Sequence, residues 1–189
     1  MNKTNKEFSL SAENKKLLLG IARDTIHHYS HEGIKKSYDK NTIPDELLMN
    51  CGVFVTLRTN GRLKGCIGRF KSNEALYALT QEMAISSATR DPRFKPLKKN
   101  EIDSIKIEIS VLSPLRKIES EQEIELGKHG IYITKGTNSG TFLPQVATDT
   151  GWSIEEFLGH CSKNKAGLGW LGWKNADVYI YTAEVFSEE

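Results

Sequence analysis

The chain has 189 residues, with 26 Lys or Arg against 24 Asp or Glu, so its formal net charge is only +2. This length allows one domain with a sizeable hydrophobic core. The basic residues are scattered instead of forming one run, so composition gives no strong signal for nucleic-acid binding. No stretch reaches the roughly 18 consecutive apolar residues of a membrane span, and Met1-Asn2-Lys3-Thr4-Asn5-Lys6-Glu7 leads into no apolar signal-peptide core. We therefore expect a cytoplasmic protein without a membrane segment.

Apolar residues at helical spacing predict the first helix from Ser11 to Tyr29, with Gly33 as its end. His27 and His31 lie one turn apart in this pattern, which invites a metal-site interpretation. However, the glutamate of an H-E-x-x-H zinc motif is absent. We interpret both histidines as ordinary residues of an exposed helix end.

A β-hairpin is predicted next, because the β-branched and aromatic stretch 53–57 is followed by Asn60-Gly61. Asn-Gly is the strongest short-range signal for a two-residue type I′ turn, which needs positive φ at both positions. Counting outward from this turn pairs Cys66 with Val55 on one side of the hairpin. The cysteine is thus expected beside an apolar face.

Two glycines, Gly65 and Gly68, flank Cys66 and make this stretch the best candidate for a functional site. Glycine weakens a strand, so its presence predicts a bulge, a bend or the close approach of another backbone or a ligand. Such a site leaves the sulfur accessible. The alternative is that Cys66 is simply a small buried apolar residue, as free cysteines often are.

In the middle of the chain, the sequence pattern predicts a helix followed by a strand. Ser72 is placed to cap a helix that runs to Thr89 and ends before Asp91-Pro92, since the residue before proline avoids the α region. The alternation over residues 105–111 predicts a half-buried strand. A charged connector follows at residues 116–126.

A second hairpin is predicted from strands at residues 131–134 and 141–143, joined by the glycine-bearing loop from Gly136 to Gly140. Pro144 then begins a short helix. The remaining segments, 153–167 and 178–186, form one further helix and a final strand.

Ser153 and Glu156 have the spacing of a capping box, which begins the helix that Gly167 is expected to end. Cys161 falls on the apolar side of this helix, so we expect it in the core. The three cysteines, Cys51, Cys66 and Cys161, form no C-x-x-C pair and are an odd number, which favours reduced thiols.

Five motifs in the same order along nearly the whole chain resemble the AMMECR domain family. Its prokaryotic members are called AmmeMemoRadiSam system protein A. The motifs are Leu63-Lys64-Gly65-Cys66-Ile67-Gly68, Asp91-Pro92-Arg93-Phe94, Ile109-Ser110-Val111-Leu112-Ser113-Pro114, Gly127-Lys128-His129-Gly130 and Leu143-Pro144-Gln145-Val146-Ala147. The family usually has Arg where this chain has Lys64, and a small polar residue where it has Arg69.

The resemblance implies a single α+β domain over residues 1–189, in two lobes. The larger lobe contains both termini, with an antiparallel sheet and flanking helices, and a middle segment forms the smaller lobe. The suspected site is a cleft between the lobes, near the Cys66 motif. The family name also implies work with a MEMO-like protein, of a fold related to metal-dependent dioxygenases, and with a radical S-adenosylmethionine enzyme. It implies no settled reaction, substrate or cofactor.

One hypothesis makes the protein an enzyme, or a component of one, with Cys66 as nucleophile and His129 as base or proton shuttle. Asp91 and Arg93 would orient these groups or bind an anion, and a nearby cation would favour the reactive thiolate. Backbone N–H groups beside the glycines could stabilise an oxyanion. The further candidate binding residues are Lys64, Gly65, Gly68, Lys128 and Gln145.

A second hypothesis keeps the same surface but gives it no chemistry. The Cys66 hairpin and the corner at residues 91–94 would then dock a partner protein or a small ligand. A metal site using Cys66, His129 and Cys51 is a weaker possibility, because three scattered ligands lack the short spacing of known metal motifs. We therefore assign no metal ligands.

Overall fold

The computed structural model describes residues 9–189, so Met1-Asn2-Lys3-Thr4-Asn5-Lys6-Glu7 lies outside the described part of the chain. The chain divides into two compact units: one runs to Leu112 and includes Glu184–Glu189, and the other is Ser113–Ala183. Each unit has helices and a four-stranded sheet, and both sheets are antiparallel. The predicted α+β class is confirmed.

Helices and strands are interspersed along the described chain. They are α1 (Ala12–Glu32), α2 (Asp45–Leu48), β1 (Gly52–Thr59), β2 (Arg62–Arg69), α3 (Leu76–Thr89), β3 (Lys106–Leu112), β4 (Arg116–Lys117), β5 (Gly130–Lys135), β6 (Asn138–Phe142), α4 (Pro144–Thr150), α5 (Ile154–Asn164), β7 (Asp177–Tyr181) and β8 (Ala183–Ser187). Short 3-10 helices lie at Lys40–Thr42, Lys99–Ser104, Glu121–Glu123 and Gly172–Asn175. None of the described helices is long and apolar enough to cross a membrane.

The first unit is built on a sheet with the strand order β2-β1-β3-β8. Alternate residues of β1, Val53, Val55 and Leu57, are fully buried in one core with residues of α1 and α3. The first helix is confirmed: the Ser11 hydroxyl accepts from the backbone N–H of Asn14, and Gly33 ends the helix at φ +74°. This sheet has β2, the strand of Cys66, at one edge.

The predicted Asn60-Gly61 turn is confirmed, with φ values of +50° and +75° at its two residues. The pairing beyond it differs from the prediction, because a bulge shifts the register between Leu57 and Arg58. Leu57 pairs with Gly65 and Arg58 with Leu63, so one extra residue is inserted in β2. Gly65 therefore marks a bulge, which is one of the features that its presence predicted.

The pairing of Cys66 with Val55 was wrong: Cys66 pairs with Thr56, and Val55 pairs with Ile67. A shift of one residue moves a side chain to the other face of a sheet. Val55 is fully buried in the core of the first unit, whereas Cys66 is half-buried on the face of Thr56. The cysteine is thus removed from the apolar face on which we expected it.

The helix predicted from Ser72 begins four residues later, at Leu76. The Ser72 hydroxyl instead accepts from the backbone N–H of Glu74, in a turn before the helix. The N–H of Leu76 donates to the carbonyl of Met49 at 2.9 Å, which replaces a side-chain cap. The end at Thr89, before Asp91-Pro92, is as predicted.

The second unit has a sheet with the strand order β4-β7-β5-β6 and a core of its own. The capping box is confirmed, since Ser153 and Glu156 satisfy each other's backbone N–H groups. The helix ends at Asn164, earlier than the Gly167 that we predicted. Cys161 is fully buried, as expected.

The predicted final strand, residues 178–186, is in fact two strands that join different sheets. β7 pairs in the second sheet and β8 in the first, and the chain breaks between them at Thr182. Ser113 accepts from the Thr182 N–H at 2.9 Å and returns its own N–H to the Thr182 carbonyl at 2.9 Å. A continuous apolar pattern gives no sign of such a change of sheet.

The second hairpin is confirmed, but Gly140 belongs to β6 and not to the loop. A Cβ at Gly140 would lie 2.5 Å from the backbone nitrogen of Ala166, so glycine allows this close approach. The connector 116–126 also contains the short strand β4 and a 3-10 helix.

Two glycine-to-alanine substitutions test whether the missing side chain at Gly65 is needed for the close packing of α3 on β2. Gly65→Ala tests the packing, and Gly20→Ala serves as the control. A Cβ at Gly65 would lie 2.0 Å from the carbonyl oxygen of Ser87, whereas one at Gly20 in α1 meets nothing within 4 Å. We expect Gly65→Ala to lower the free energy of unfolding by about 1–3 kcal/mol or more. Gly20→Ala should raise it by roughly 1 kcal/mol. Urea denaturation measures both, and equal effects would contradict the close packing of α3 on β2.

Candidate functional site

Cys66 lies on β2 with its side chain half-buried. The hydroxyl of Thr56, the residue opposite on β1, donates to the Cys66 sulfur at 3.3 Å. The strand pairing thus gives the thiol a fixed polar neighbour.

The backbone of Cys66 is held from the open edge of the sheet by two side chains. Its N–H donates to Asp91 Oδ2 at 2.8 Å, and its carbonyl accepts from Arg93 Nη2 at 2.9 Å. Since β2 pairs with β1 on one side only, no described strand lies on its other side, and side chains bond to these two backbone groups instead. We call this arrangement the Asp91–Arg93 clip.

Within the clip, the two side chains form a bidentate ion pair. Arg93 Nε donates to Asp91 Oδ1 at 2.9 Å and Nη2 to Oδ2 at 2.7 Å, and the Arg93 backbone N–H adds a bond to Oδ1 at 3.1 Å. Asp91 is only 4% exposed, so these donors compensate a nearly buried charge. The Arg93 guanidinium, together with the Cys66 N–H, holds the pKa of the Asp91 carboxyl well below its usual range.

Ser87, which the sequence did not single out, bridges β1 and β2 beside Cys66. Its hydroxyl accepts from the Ile67 N–H at 2.9 Å and donates to the Val55 carbonyl at 2.7 Å. The hydroxyl therefore connects two residues that face each other in the ladder. The missing side chain of Gly65 allows α3 to come this close. Ser86 and Ser87 at the end of a mostly apolar helix were the only signal for this role.

Lys64 and Gly68, two candidate binding residues, contact other parts of the first unit. Lys64 Nζ pairs with Glu101 Oε1 at 2.9 Å. A Cβ at Gly68 would lie 2.3 Å from the ring of Phe54, so this glycine makes room for an aromatic side chain. All five candidate residues of this region, Lys64, Gly65, Gly68, Asp91 and Arg93, lie in the unit that contains Cys66. Of these, Asp91 and Arg93 bond to the Cys66 backbone.

His129, Lys128 and Gln145 belong to the second unit. His129 Nδ1 accepts from the Glu125 backbone N–H at 3.1 Å, so the neutral ring carries its proton on Nε2. Burial lowers the pKa of His129. Lys128 Nζ lies 3.5 Å from Glu125 Oε2, and Gln145 is exposed near the start of α4. The pairing of His129 with Cys66 stays a prediction.

The other two thiols are buried and poorly suited to reaction. Cys51 is 3% exposed, and burial raises its pKa to about 11. Cys161 is fully buried, and burial raises its pKa to about 12. Both are protonated at neutral pH, and the thiolate is the reactive form. Within residues 9–189, no three His, Cys, Asp or Glu side chains are grouped as metal ligands.

The chain is similar to known proteins over nearly its whole length. The AMMECR1 family model matches residues 19–186. The chain belongs to the AMMECR1 family. Protein MK0488 of Methanopyrus kandleri is 40% identical to it over a match that covers 95% of this chain and 91% of that protein. The resemblance drawn from the five motifs is thus confirmed.

A solved structure supports the fold of this AMMECR1-family chain over nearly its whole length. The crystal structure of the uncharacterized protein PH0010 from Pyrococcus horikoshii matches it with a TM-score of 0.80 and 39% sequence identity. The match covers 96% of this chain and 95% of that one. These relatives establish the family and the fold of the chain.

Because the pKa of Asp91 is lowered in the folded protein, we expect the free energy of unfolding to depend on this carboxyl in acid. A carboxyl whose pKa is lower in the folded than in the unfolded state, here below the ordinary 3.8, stabilises the fold above that value. This contribution is lost as the pH falls from about 5 toward the folded pKa. We expect Asp91→Asn to lower the free energy of unfolding at pH 7 by about 1.5–3 kcal/mol, because charged hydrogen bonds are lost. The variant should also lose less stability than the wild type between pH 6 and pH 3.

The exposed Asp103, in the same unit, provides the matched control. Asp103→Asn should leave both the stability at pH 7 and its pH dependence close to those of the wild type. Urea denaturation at several pH values measures all three proteins. An Asp91→Asn profile parallel to that of the wild type would show that Asp91 does not contribute in this way.

Proposed function

We propose that this AMMECR1-family protein is an enzyme, or an enzyme component, that acts through the thiol of Cys66. The observation that carries the proposal is the Asp91–Arg93 clip, which fixes the N–H and the carbonyl of Cys66 while the side chain stays half-exposed. Reactive groups need a position that their surroundings hold rigidly. The contrast with the buried Cys51 and Cys161 adds support.

The chemistry proposed is nucleophilic attack by the Cys66 thiolate on an electrophilic centre of the substrate. The Thr56 hydroxyl would stabilise the negative sulfur. The backbone N–H groups of Cys66 and Ile67 already donate to Asp91 and Ser87, so they are not free to form the oxyanion site that we expected there. Any stabilisation of a developing oxyanion would have to come from other donors.

His129 would act in this reaction through Nε2, because the Glu125 N–H occupies Nδ1. In the neutral ring this nitrogen carries the proton, so Nε2 is suited to donate a hydrogen bond to a substrate. To act as a base, Nε2 would first need the proton to move to Nδ1, at the expense of the bond from Glu125. We therefore propose His129 as a donor or proton shuttle more than as a resting base.

We also propose that the protein works in the cytoplasm with a MEMO-like protein and a radical S-adenosylmethionine enzyme. The support for these partners is the resemblance to AmmeMemoRadiSam system protein A, carried by the five motifs and by membership of the AMMECR1 family. Lys128 and Gln145 would contribute polar contacts to a substrate or partner. Gln145 is exposed, which fits that role.

A docking module without chemistry is the second candidate, and one observation favours it. The polar groups of Asp91, Arg93 and Lys64 are directed to partners within the first unit, which shapes a surface but activates no substrate. In that case the hairpin around Cys66 would bind a partner protein or a small ligand. Loss of the sulfur would then change little.

The first prediction from this proposal concerns thiol reactivity. Iodoacetamide should modify Cys66 in the folded protein, whereas Cys51 and Cys161 should react only after denaturation, because burial keeps them protonated and inaccessible. Mass spectrometry of peptides after timed labelling measures each site. Labelling of Cys66 no faster than that of Cys51 would remove the basis for a reactive thiol.

A second prediction separates the enzyme from the docking module. In an assay reconstituted with the two proposed partners, Cys66→Ser should abolish turnover and leave partner binding intact. Cys51→Ala, which removes a buried thiol, should keep turnover. Full turnover by Cys66→Ser with binding retained would favour the docking module, since a nearly isosteric serine preserves the surface.

A further inference from the structure

The face of the first sheet that bears the Cys66 thiol also carries charged side chains. Alternate residues of β1 and β3 are fully buried in the core, namely Val53, Val55, Leu57, Ile107, Ile109 and Val111. Because successive side chains of a strand point to opposite faces, the residues between them lie on the other face. These are Phe54, Thr56 and Arg58 of β1 and Lys106, Glu108 and Ser110 of β3.

The pairing of the strands sets these residues in rows across the sheet. Thr56 pairs with Cys66 on β2 and with Glu108 on β3, so these three residues form one row. In the next row toward the hairpin turn, Arg58 lies directly opposite Lys106. Since an antiparallel strand rises about 3.4 Å per residue, residues two positions apart are separated by about 7 Å. Two basic residues therefore lie one row away from the thiol.

No described residue neutralises these two cations. The side chains of Arg58 and Lys106 form no hydrogen bond or ion pair with any described residue, and Lys106 is exposed while Arg58 is half-buried. By contrast, Lys64, Arg69 and Arg93 are each paired with a carboxylate. Like charges directly opposite each other destabilise a sheet. An anionic ligand bound at Arg58 and Lys106 would relieve this repulsion.

Glu108 and Phe54 show where on this face an anion is favoured. Glu108 is half-buried, and its side chain has no hydrogen-bond or ion-pair partner among the described residues. Because it lies in the row of Cys66, its charge repels a negative group placed directly at the sulfur. On the far side of that row, Phe54 offers only an apolar ring. The row of Arg58 and Lys106 is therefore the favourable place for a negative group.

We propose that the substrate of Cys66 carries an anionic group, a carboxylate or a phosphate, that binds to Arg58 and Lys106. This inference rests on the proposed function, since it names the class of substrate on which the thiol acts. The planar guanidinium of Arg58 can hold such a group through two parallel hydrogen bonds, and Lys106 adds a point charge. The electrophilic centre would lie one row away from the anion, at the Cys66 sulfur.

Two disulfide reagents of different charge test this with the full chain. Dithiobis(nitrobenzoate) carries a carboxylate on each ring, whereas dithiodipyridine is neutral, and both form a mixed disulfide with a reactive thiol. The measured quantity is the ratio of their rates at Cys66, with mass spectrometry to identify the labelled peptide. Effects on the thiol itself act on both reagents alike and cancel in this ratio. Arg58→Gln and Lys106→Gln should each lower the ratio at least about threefold, through loss of one nearby charge.

Three further variants serve as controls for charge and position. Glu108→Gln removes the carboxylate and should raise the ratio, whereas Arg58→Lys keeps the positive charge and should keep most of the ratio. Lys16 is exposed on α1, and the buried residues of α1 pack against the opposite face of the sheet. Lys16→Gln should therefore leave the ratio at the wild-type value.

The outcomes separate this inference from the proposal on which it rests. If dithiodipyridine labels Cys66 but the ratio stays unchanged in Arg58→Gln and Lys106→Gln, the anion site is overturned and the thiol chemistry stands. An equal fall of the ratio in Lys16→Gln, or a fall in Glu108→Gln, would also overturn the anion site. If neither reagent labels Cys66 in the folded protein, the proposed function fails and this inference fails with it.

Discussion

The nearly buried carboxylate of Asp91 is the group on which the architecture around Cys66 depends. It lies just beyond the end of α3 and accepts from the N–H of Cys66 and from three donors of Arg93. Arg93 in turn donates to the Cys66 carbonyl. One ion pair therefore ties the end of a helix to the open edge of a sheet, and it can do so only while the carboxyl is ionised.

The absence of a side chain at Gly65 is the second feature that determines the position of Cys66. It lets α3 approach the hairpin so closely that the Ser87 hydroxyl enters the pairing of Val55 with Ile67. The bulge next to Gly65 then turns Cys66 onto the face of Thr56 and away from the core. The partial exposure of the thiol follows from these two features together. It is one basis on which we propose a functional role for Cys66.

Local signals predicted much of this fold. Asn60-Gly61 predicted the turn, Ser11 and Gly33 the ends of α1, and Ser153 with Glu156 the start of α5, because each acts through bonds to nearby residues. The pairing partner of Cys66 could not be predicted by counting residues from the turn, because a bulge inserts one extra residue into β2. In the sequence, Gly65 is the one indication of this bulge. The hydrogen bond from Cys66 to Asp91 joins residues 25 positions apart, so no local pattern in the sequence predicts it.

Hydrogen exchange at a single amide tests most directly whether Asp91 and Arg93 fix the backbone of Cys66. The Cys66 N–H donates to a side chain at the edge of the sheet, so its protection reports on the clip alone. In the wild type at neutral pH, this amide should exchange about as slowly as the amides of the central strand β3. In Asp91→Asn, it should lose protection while the β3 amides keep theirs. Rapid exchange of the Cys66 amide in the wild type would contradict a thiol held in place by the clip.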